Sequence, residues 1–430
     1  MASYIIKGKN KLAGTVTVSG SKNAALGIIA ASMVLDGPCT IENVPTIVDV
    51  DVLLDICCDL GAVIERRDGG QVYLDPSAVQ RHESTSEKTR SIRASYYLLG
   101  ALLARFRKAR LTMPGGCDFG TRPINLHLQG FESMGTVHTL KGGIINLDAE
   151  ADFHGGYLYM DQASVGATIN VMIAATKAQG VTIIENAARE PHIVDVANFL
   201  NIMGANIKGA GTDTIRIKGT PVIPGGKTYS IIPDQIEAGT FMIAAAVTGG
   251  DVTVKNIIPK HMESLSMKMR AMGAILTEGD DWIRVRVNPD GYLRSTNFKT
   301  MPYPGFPTDL QPQALILQCA ANGISKMHEA VWENRFQYIE ELKRMGAQIT
   351  IAGPIAIVEG PQSLSGARVP ARDLRAGAAM VLAGLMADGD TEVTEVRTIE
   401  RGYEHFIEKM QGIGADIRVK SETEGVCLYG

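Results

Sequence analysis

The sequence predicts an α/β fold of six repeated units, grouped three plus three into two domains with small-residue helices inside and sheets outside. A phrase of apolar residue, glycine and small residue recurs as Leu60-Gly61-Ala62, Met134-Gly135-Thr136, Met203-Gly204-Ala205, Met272-Gly273-Ala274, Met345-Gly346-Ala347 and Ile413-Gly414-Ala415. Its glycines step by 74, 69, 69, 73 and 68 residues. Those steps exceed the roughly 20–50-residue units of a stacked solenoid. The 430 residues, 45% of them hydrophobic, supply two or three cores at about 150 residues per domain.

Each unit opens on an Ala-rich stretch, at 23–33, 93–104, 165–177, 237–247, 310–321 and 374–386. Small residues such as Ala30, Ala31, Ala244, Ala245, Ala378 and Ala379 let helix backbones approach closely, so these stretches predict buried helices packed on one another. A β-rich run follows, as in Val181-Thr182-Ile183-Ile184. The next segment has helical spacing, as in Val194, Ala197, Leu200 and Met203, and the marker glycine at its end predicts a left-handed cap. Alternation then resumes, as in Ala347-Gln348-Ile349-Thr350-Ile351, which predicts a strand. The unit reads helix, strand, helix, strand.

Composition excludes several classes. A net charge of −4 is too weak a field for a nucleic-acid or anionic-membrane partner. The apolar runs fall far short of the ~20 residues that span a bilayer, and the first residues lack a signal peptide's basic and apolar segments, so a cytoplasmic protein is expected. The six cysteines form no C-x-x-C pair, which argues against a disulfide framework or zinc site; all but Cys117 read as small core residues. Gly225-Gly226-Lys227-Thr228 lacks the earlier glycine of a nucleotide-binding loop, where Pro221 stands.

Aligning the units on their glycines places polar residues at matching helix starts: Lys22, Arg93, Ser164, Asp234, Asp309 and Arg375 at the first helix, and Arg122, Glu190, Lys260, Arg335 and Arg401 at the second. Helix amino termini carry unpaired N–H groups and partial positive charge, so cations gathered there predict an anion site for a phosphorylated substrate. Cys117 stands apart from the other thiols. Three neighbouring glycines and the nearby Arg122 favour an accessible thiolate, suited to a proton donor or nucleophile.

Over essentially the whole chain the sequence resembles the enolpyruvyl transferases. The resemblance rests on Gly20-Ser21-Lys22-Asn23-Ala24, Arg93-Ala94-Ser95, Pro114-Gly115-Gly116-Cys117, Arg122-Pro123, Ser164-Val165-Gly166-Ala167-Thr168, Glu185 to Pro191, Phe306-Pro307-Thr308-Asp309, Glu333-Asn334-Arg335-Phe336, Asp373-Leu374-Arg375 and Arg401-Gly402-Tyr403-Glu404. It implies a two-domain inside-out α/β barrel, with residues 22–231 as one domain and 1–21 plus 232–430 as the other. It also implies transfer of the enolpyruvyl group of phosphoenolpyruvate to the 3-hydroxyl of UDP-N-acetylglucosamine, in peptidoglycan synthesis, with no metal or organic cofactor and no obligate protein partner.

By that resemblance Cys117 is the acid and the target of the epoxide fosfomycin, and Asp309 is the base. Lys22, Arg122 and Arg401 clamp phosphate, and Arg335 and Arg375 hold the carboxylate. Asn23, Arg93 and Asp373 complete the substrate site; Arg122, Pro123, Ile124, Asn125, Leu126, Ser164, Val165, Gly166 and the Val331 backbone line the nucleotide-sugar pocket. Asn125, Gln162 and Asp118-Phe119 depart from the family pattern, at positions bearing on uridine contacts and the cysteine loop. Two alternatives are a transferase acting on shikimate 3-phosphate and a non-catalytic nucleotide-sugar-binding relative. Asn23 and the Cys117 loop argue against the first, and Cys117 together with Asp309 against the second.

Overall fold

The computed structural model describes residues 2–113, 124–288 and 292–420. All six marker glycines adopt positive φ: +113° at Gly61, +85° at Gly135, +117° at Gly204, +99° at Gly273, +94° at Gly346 and +97° at Gly414. A side chain is strained in that region, which is why glycine recurs there. Gly61, Gly204 and Gly273 cap their helices directly, donating their N–H groups back to the last turn.

Each repeat builds one four-stranded sheet, so six form among the described residues. The third shows the plan: strands Tyr157–Tyr159, Val181–Glu185, Asn206–Lys208 and Thr214–Lys218 lie in the order first, second, fourth, third. The first pair is parallel and the others antiparallel, with Ile184 opposite Ile215 and Thr182 opposite Ile217. The sequence reading of two helices and two strands therefore undercounts each unit by two strands. In five of the six repeats the leading strand is only two or three residues long, too short for a period-two pattern to register. The other missed strand is the return arm of the hairpin behind the glycine.

The chain divides into two units. The central unit comprises Gly20–Ile232 and Pro302–Pro304; the terminal unit comprises Met1–Ser19, Pro233–Met301 and Gly305–Gly430. In the terminal unit the strand Ser3–Lys7 pairs antiparallel with Asp390–Thr394 and Asp416–Lys420, so the amino terminus supplies the fourth strand of the sixth sheet. In the central unit Thr228–Ser230 pairs parallel with Cys39–Glu42, so the end of the third repeat supplies the leading strand of the first.

The Ala-rich stretches form the inner helices: α1 (Lys22–Ser32), α2 (Tyr97–Phe106) and α3 (Val165–Ala175) in the central unit, and α4 (Gln235–Val247), α5 (Gln311–Cys319) and α6 (Leu374–Met386) in the terminal unit. They are buried almost all round; every residue of α5 is buried. In α2 the small-residue rule is literal, since a Cβ on Gly100 would stand 2.2 Å from the Asn170 main-chain oxygen in α3. Two helices start later than their sequence pattern. Arg93–Tyr96 and Thr308–Leu310 are 3₁₀ turns leading into α2 and α5, and each places a charged candidate residue at the mouth of a buried helix.

Cys39, Cys57 and Cys319 are buried, as expected of small core residues, but Cys58 is exposed. It occupies the outer face of the helix Val48–Leu60 whose inner face carries Cys57. Cys427 lies outside the described residues. Among the described residues no helix is long and apolar enough to cross a membrane.

Candidate active site

In the terminal unit the turn Thr308–Leu310 presents Asp309 with about a third of its side chain exposed, between two guanidiniums that are almost wholly buried. Arg335 Nη2 donates to Asp309 Oδ1 at 2.9 Å, and its Nη1 donates to Thr308 Oγ1 at 2.8 Å. Arg375 approaches Asp309 Oδ2 with Nη2 at 3.3 Å and Nε at 3.4 Å. Arg375 is the second residue of α6. Asp373 caps that helix, its Oδ1 accepting from the N–H groups of Arg375 and Ala376 at 2.9 Å each.

Burial works against the charge on Arg375, but Asp309, Tyr403 and Asp234 outweigh it and hold the guanidinium above its ordinary range. Burial pushes the Asp373 carboxyl up, opposed by its helix N–H bonds and by Arg335. Beneath Arg375, whose Cζ lies 5.4 Å from the Tyr403 ring centroid, the Tyr403 hydroxyl meets Thr240 at 2.9 Å and receives Gln313 Nε2 at 3.0 Å. These buried hydrogen bonds restrain the side chains beneath Arg375. The structure thus brings together Asp309, Arg335, Asp373 and Arg375. Arg401 directly follows the short helix Arg397–Glu400, and Val331 lies beyond the strand Gly323–His328, with its N–H on Glu329.

In the central unit Lys22 opens α1 behind its cap Ser21, and its Nζ lies 2.7 Å from Asp49 Oδ2. Both side chains are buried. Asn23 follows Lys22 on the same turn and is only half-buried. A second cluster surrounds His127. Asn170 Nδ2 donates to Tyr96 O at 2.7 Å and meets His127 Nδ1 at 2.9 Å, while its Oδ1 accepts from Gly100 N at 2.7 Å. With both amide hydrogens committed, Asn170 makes Nδ1 the acceptor and leaves the proton of the neutral ring on Nε2. Burial, with Arg93 adding to it, brings the imidazole down to about 4. His127 Nε2 sits against the amino terminus of α3, where a Cβ on Gly166 would meet it at 2.9 Å.

That contact joins two predicted segments: Ile124, Asn125 and Leu126 open the helix Asn125–Glu132 that carries His127, and Ser164, Val165 and Gly166 open α3. Ser164 caps α3 by accepting from Ala167 N at 3.3 Å. Arg93 leans over Tyr96, its Cζ 6.0 Å from the ring centroid. Cys117, Arg122 and Pro123 lie outside the described residues. Lys260, another cation at a second-helix start, is exposed and paired with Glu263. Sequence reasoning missed Asp49, His127, Asn170 and Glu329. None of the four carries a motif in the sequence.

Among the described residues no group of three or more His, Cys, Asp or Glu could hold a metal ion. Residues 6–410 match the family model described as EPSP synthase (3-phosphoshikimate 1-carboxyvinyltransferase). The chain is 51% identical over 417 residues to UDP-N-acetylglucosamine 1-carboxyvinyltransferase 3 of Caldanaerobacter subterraneus subsp. tengcongensis, covering 97% of this chain and 99% of that one. It is 50% identical over 418 residues to UDP-N-acetylglucosamine 1-carboxyvinyltransferase of Clostridium botulinum, with the same coverage. The crystal structure of the enolpyruvyl transferase NikO from Streptomyces tendae superposes with a TM-score of 0.89 at 27% identity, covering 98% of this chain and 99% of that one.

Proposed function

The chain belongs to the EPSP synthase family of enolpyruvyl transferases, and from that premise we propose that it transfers the enolpyruvyl group of phosphoenolpyruvate to the 3-hydroxyl of UDP-N-acetylglucosamine, releasing phosphate. The observation that carries the reading is identity of half the residues, across 97% of the chain, to proteins named for that transfer. The chain is a transferase, and the step belongs to peptidoglycan synthesis. Both substrates are small soluble anions, so the reading puts the reaction in the cytoplasm and calls on no obligate protein partner.

The chemistry asks for an acid, a base and cations. As the methylene carbon of phosphoenolpyruvate takes a proton, the neighbouring carbon becomes electrophilic and the sugar oxygen bonds to it while losing its own proton. Loss of phosphate and of one methyl proton then restores the double bond. We assign the first proton to Cys117 and the acceptance of the hydroxyl proton to Asp309, whose carboxylate is partly exposed. Lys22, Arg122 and Arg401 take the phosphate, with Arg335 and Arg375 beside the carboxylate. Asn23, Arg93 and Asp373 complete the site, and residues 122–126 and 164–166 with the Val331 backbone take the nucleotide sugar. His127 joins that group because its Nε2–H lies at the head of α3.

Phosphate release from phosphoenolpyruvate, with UDP-N-acetylglucosamine or shikimate 3-phosphate as acceptor, tests the reading. Turnover with the nucleotide sugar is expected. Turnover with shikimate 3-phosphate alone would replace it.

A further inference from the structure

Glu329 is 3% exposed and lies one residue beyond the strand Gly323–His328. Its Oε1 accepts from Thr300 Oγ1 at 2.7 Å and from the N–H groups of Val331 and Trp332 at 2.8 and 3.1 Å. Its Oε2 accepts from Thr308 Oγ1 at 2.8 Å. The direction of each bond is fixed by the partner on the far side. Thr300 Oγ1 already accepts from Ala330 N at 2.8 Å, and Thr308 Oγ1 already accepts from Arg335 Nη1 at 2.8 Å, so each hydroxyl has its hydrogen left for Glu329. Four donors converge on one acceptor-only group.

The chain of bonds runs Glu329, Thr308, Arg335, Asp309, closing with Arg335 Nη2 on Asp309 Oδ1 at 2.9 Å. We propose that Glu329 is a positioning residue for the transfer: through the Thr308 hydroxyl it sets the Arg335 fork against Asp309, and through its two backbone bonds it shapes residues 329–332, where Val331 lies. The carboxylate matters beyond its shape. A glutamine must keep its oxygen toward the three donors at Oε1, so its amide would point at Thr308. Thr308 would then receive two N–H donors and lose the acceptor for its own hydrogen, weakening its hold on Arg335. The inference rests on the assignment of Asp309 as base.

The test uses the full chain, with Thr308→Val, Thr308→Ser, Glu329→Gln and the double variant T308V/E329Q, assayed by phosphate release beside melting temperature. T308V cuts the relay while nearly preserving shape, and should lower kcat on the order of 10²-fold, the effect of displacing a group at the reacting centre. T308S restores the hydroxyl and should recover most of that loss. Glu329→Gln should lower kcat similarly and, unlike T308V, should also raise KM for the nucleotide sugar. Because the two act along one chain, the double variant should be no slower than the slower single. Melting temperatures within a few degrees of the parent would separate this role from a purely structural one.

Turnover of T308V above half the parent value, no recovery in T308S, or multiplying losses in the double variant would overturn the proposal. Should Glu329→Gln fail to fold, T308V and T308S decide the matter alone. Asp309→Asn separates the two levels: an inactive Asp309→Asn with an active T308V defeats only this inference, whereas an active Asp309→Asn defeats the base assignment and this inference with it.

Discussion

In the terminal unit a partly exposed carboxylate lies between two buried guanidiniums, whereas in the central unit an ammonium lies against one buried carboxylate. The Asp309 side chain is 32% exposed and its arginines 3% and 4%, so the cations form the frame and the carboxylate remains within reach of a ligand. Lys22 and Asp49 are 11% and 7% exposed, so there the cation is held by a counter-charge of equal burial. Breaking a buried pair by removing one partner costs more than the pair contributes. Under the proposed roles, the difference separates a base set in advance from a cation kept charged for an anion, and mutations should affect the two units differently.

The largest effect belongs to the terminal unit. Asp309→Asn keeps the shape and the hydrogen-bond acceptor that Arg335 uses, but removes the proposed base. Turnover should fall by roughly 10²–10⁴-fold, the range for a lost general base. Binding of the nucleotide sugar, followed by calorimetry, should change far less. Near-normal turnover would move the base elsewhere and remove the contrast between the units.

The central unit should reveal itself through pH. Burial pushes the Asp195 carboxyl up to about 6, against hydrogen bonds from Tyr229 and Ile232 N, while burial and Arg93 bring His127 down to about 4. For Asp195 the raised value means stability that is full below about pH 4 and lost as pH rises through 6. For His127 the lowered value means stability that is full above about pH 6.5 and lost as pH falls through 4. Between pH 4 and 6 the two slopes oppose each other. In Asp195→Asn the amide mimics the protonated acid: it can donate to the Tyr229 hydroxyl, which turns to the Asp195 main-chain oxygen, 3.2 Å away. Relative to the parent, this variant's unfolding free energy should rise with pH by about 1.4 kcal/mol per unit across that window. Denaturant unfolding at pH 4, 5 and 6 measures it, and parallel pH dependences would refute the opposition.

The repeat was legible because each unit needs a residue at positive φ behind its second helix, and glycine stands at that place six times over. The short leading strands were not, since two or three residues carry no period. Asp309 and Arg375 could be picked out because the repeat register puts each at a helix start, whereas Arg335, expected at one, stands in the loop four residues before the helix Ile339–Arg344. Asp49, Asp195, His127 and Glu329 could not, because each works through partners that are distant in sequence or through a single local turn. Among the inner helices the Ala-rich pattern located the buried cylinders but placed the starts of α2 and α5 too early, where the chain spends a 3₁₀ turn presenting Arg93 and Asp309.

A smaller effect should sharpen the contrast from the central unit. Asp49→Asn leaves an acceptor for the Lys22 ammonium but removes the negative charge that favours its protonated form in a buried setting. The alkaline limb of kcat/KM for phosphoenolpyruvate should therefore move to lower pH, with a loss of about tenfold at pH 9 and less at pH 7. An unchanged limb, in a variant that still melts cooperatively, would mean that Asp49 supports the fold rather than the charge on Lys22.

The mildest change concerns the thiols. Cys58 is exposed, but partial burial and the carboxylates of Asp55 and Asp59 raise its thiol, with Lys88 only partly opposing them. Little of it is thiolate near neutral pH, so exposure alone should not make it reactive. Burial pushes the thiols of Cys39 and Cys319 up to about 12, which removes them from competition. Cys117 has a different sequence setting, with glycines on both sides, Asp118 next to it and Arg122 five residues on. Cys58→Ser should leave turnover within about twofold, as expected of a surface substitution, and should not slow alkylation of the fastest thiol. Cys117→Ser should abolish that fast phase. After fosfomycin treatment, peptide mass spectrometry should find the adduct on the peptide carrying Cys117, formed faster when UDP-N-acetylglucosamine is present. Adduct mainly on the Cys57-Cys58 peptide would show that accessibility, not local charge, governs reactivity here, and would withdraw the acid role from Cys117.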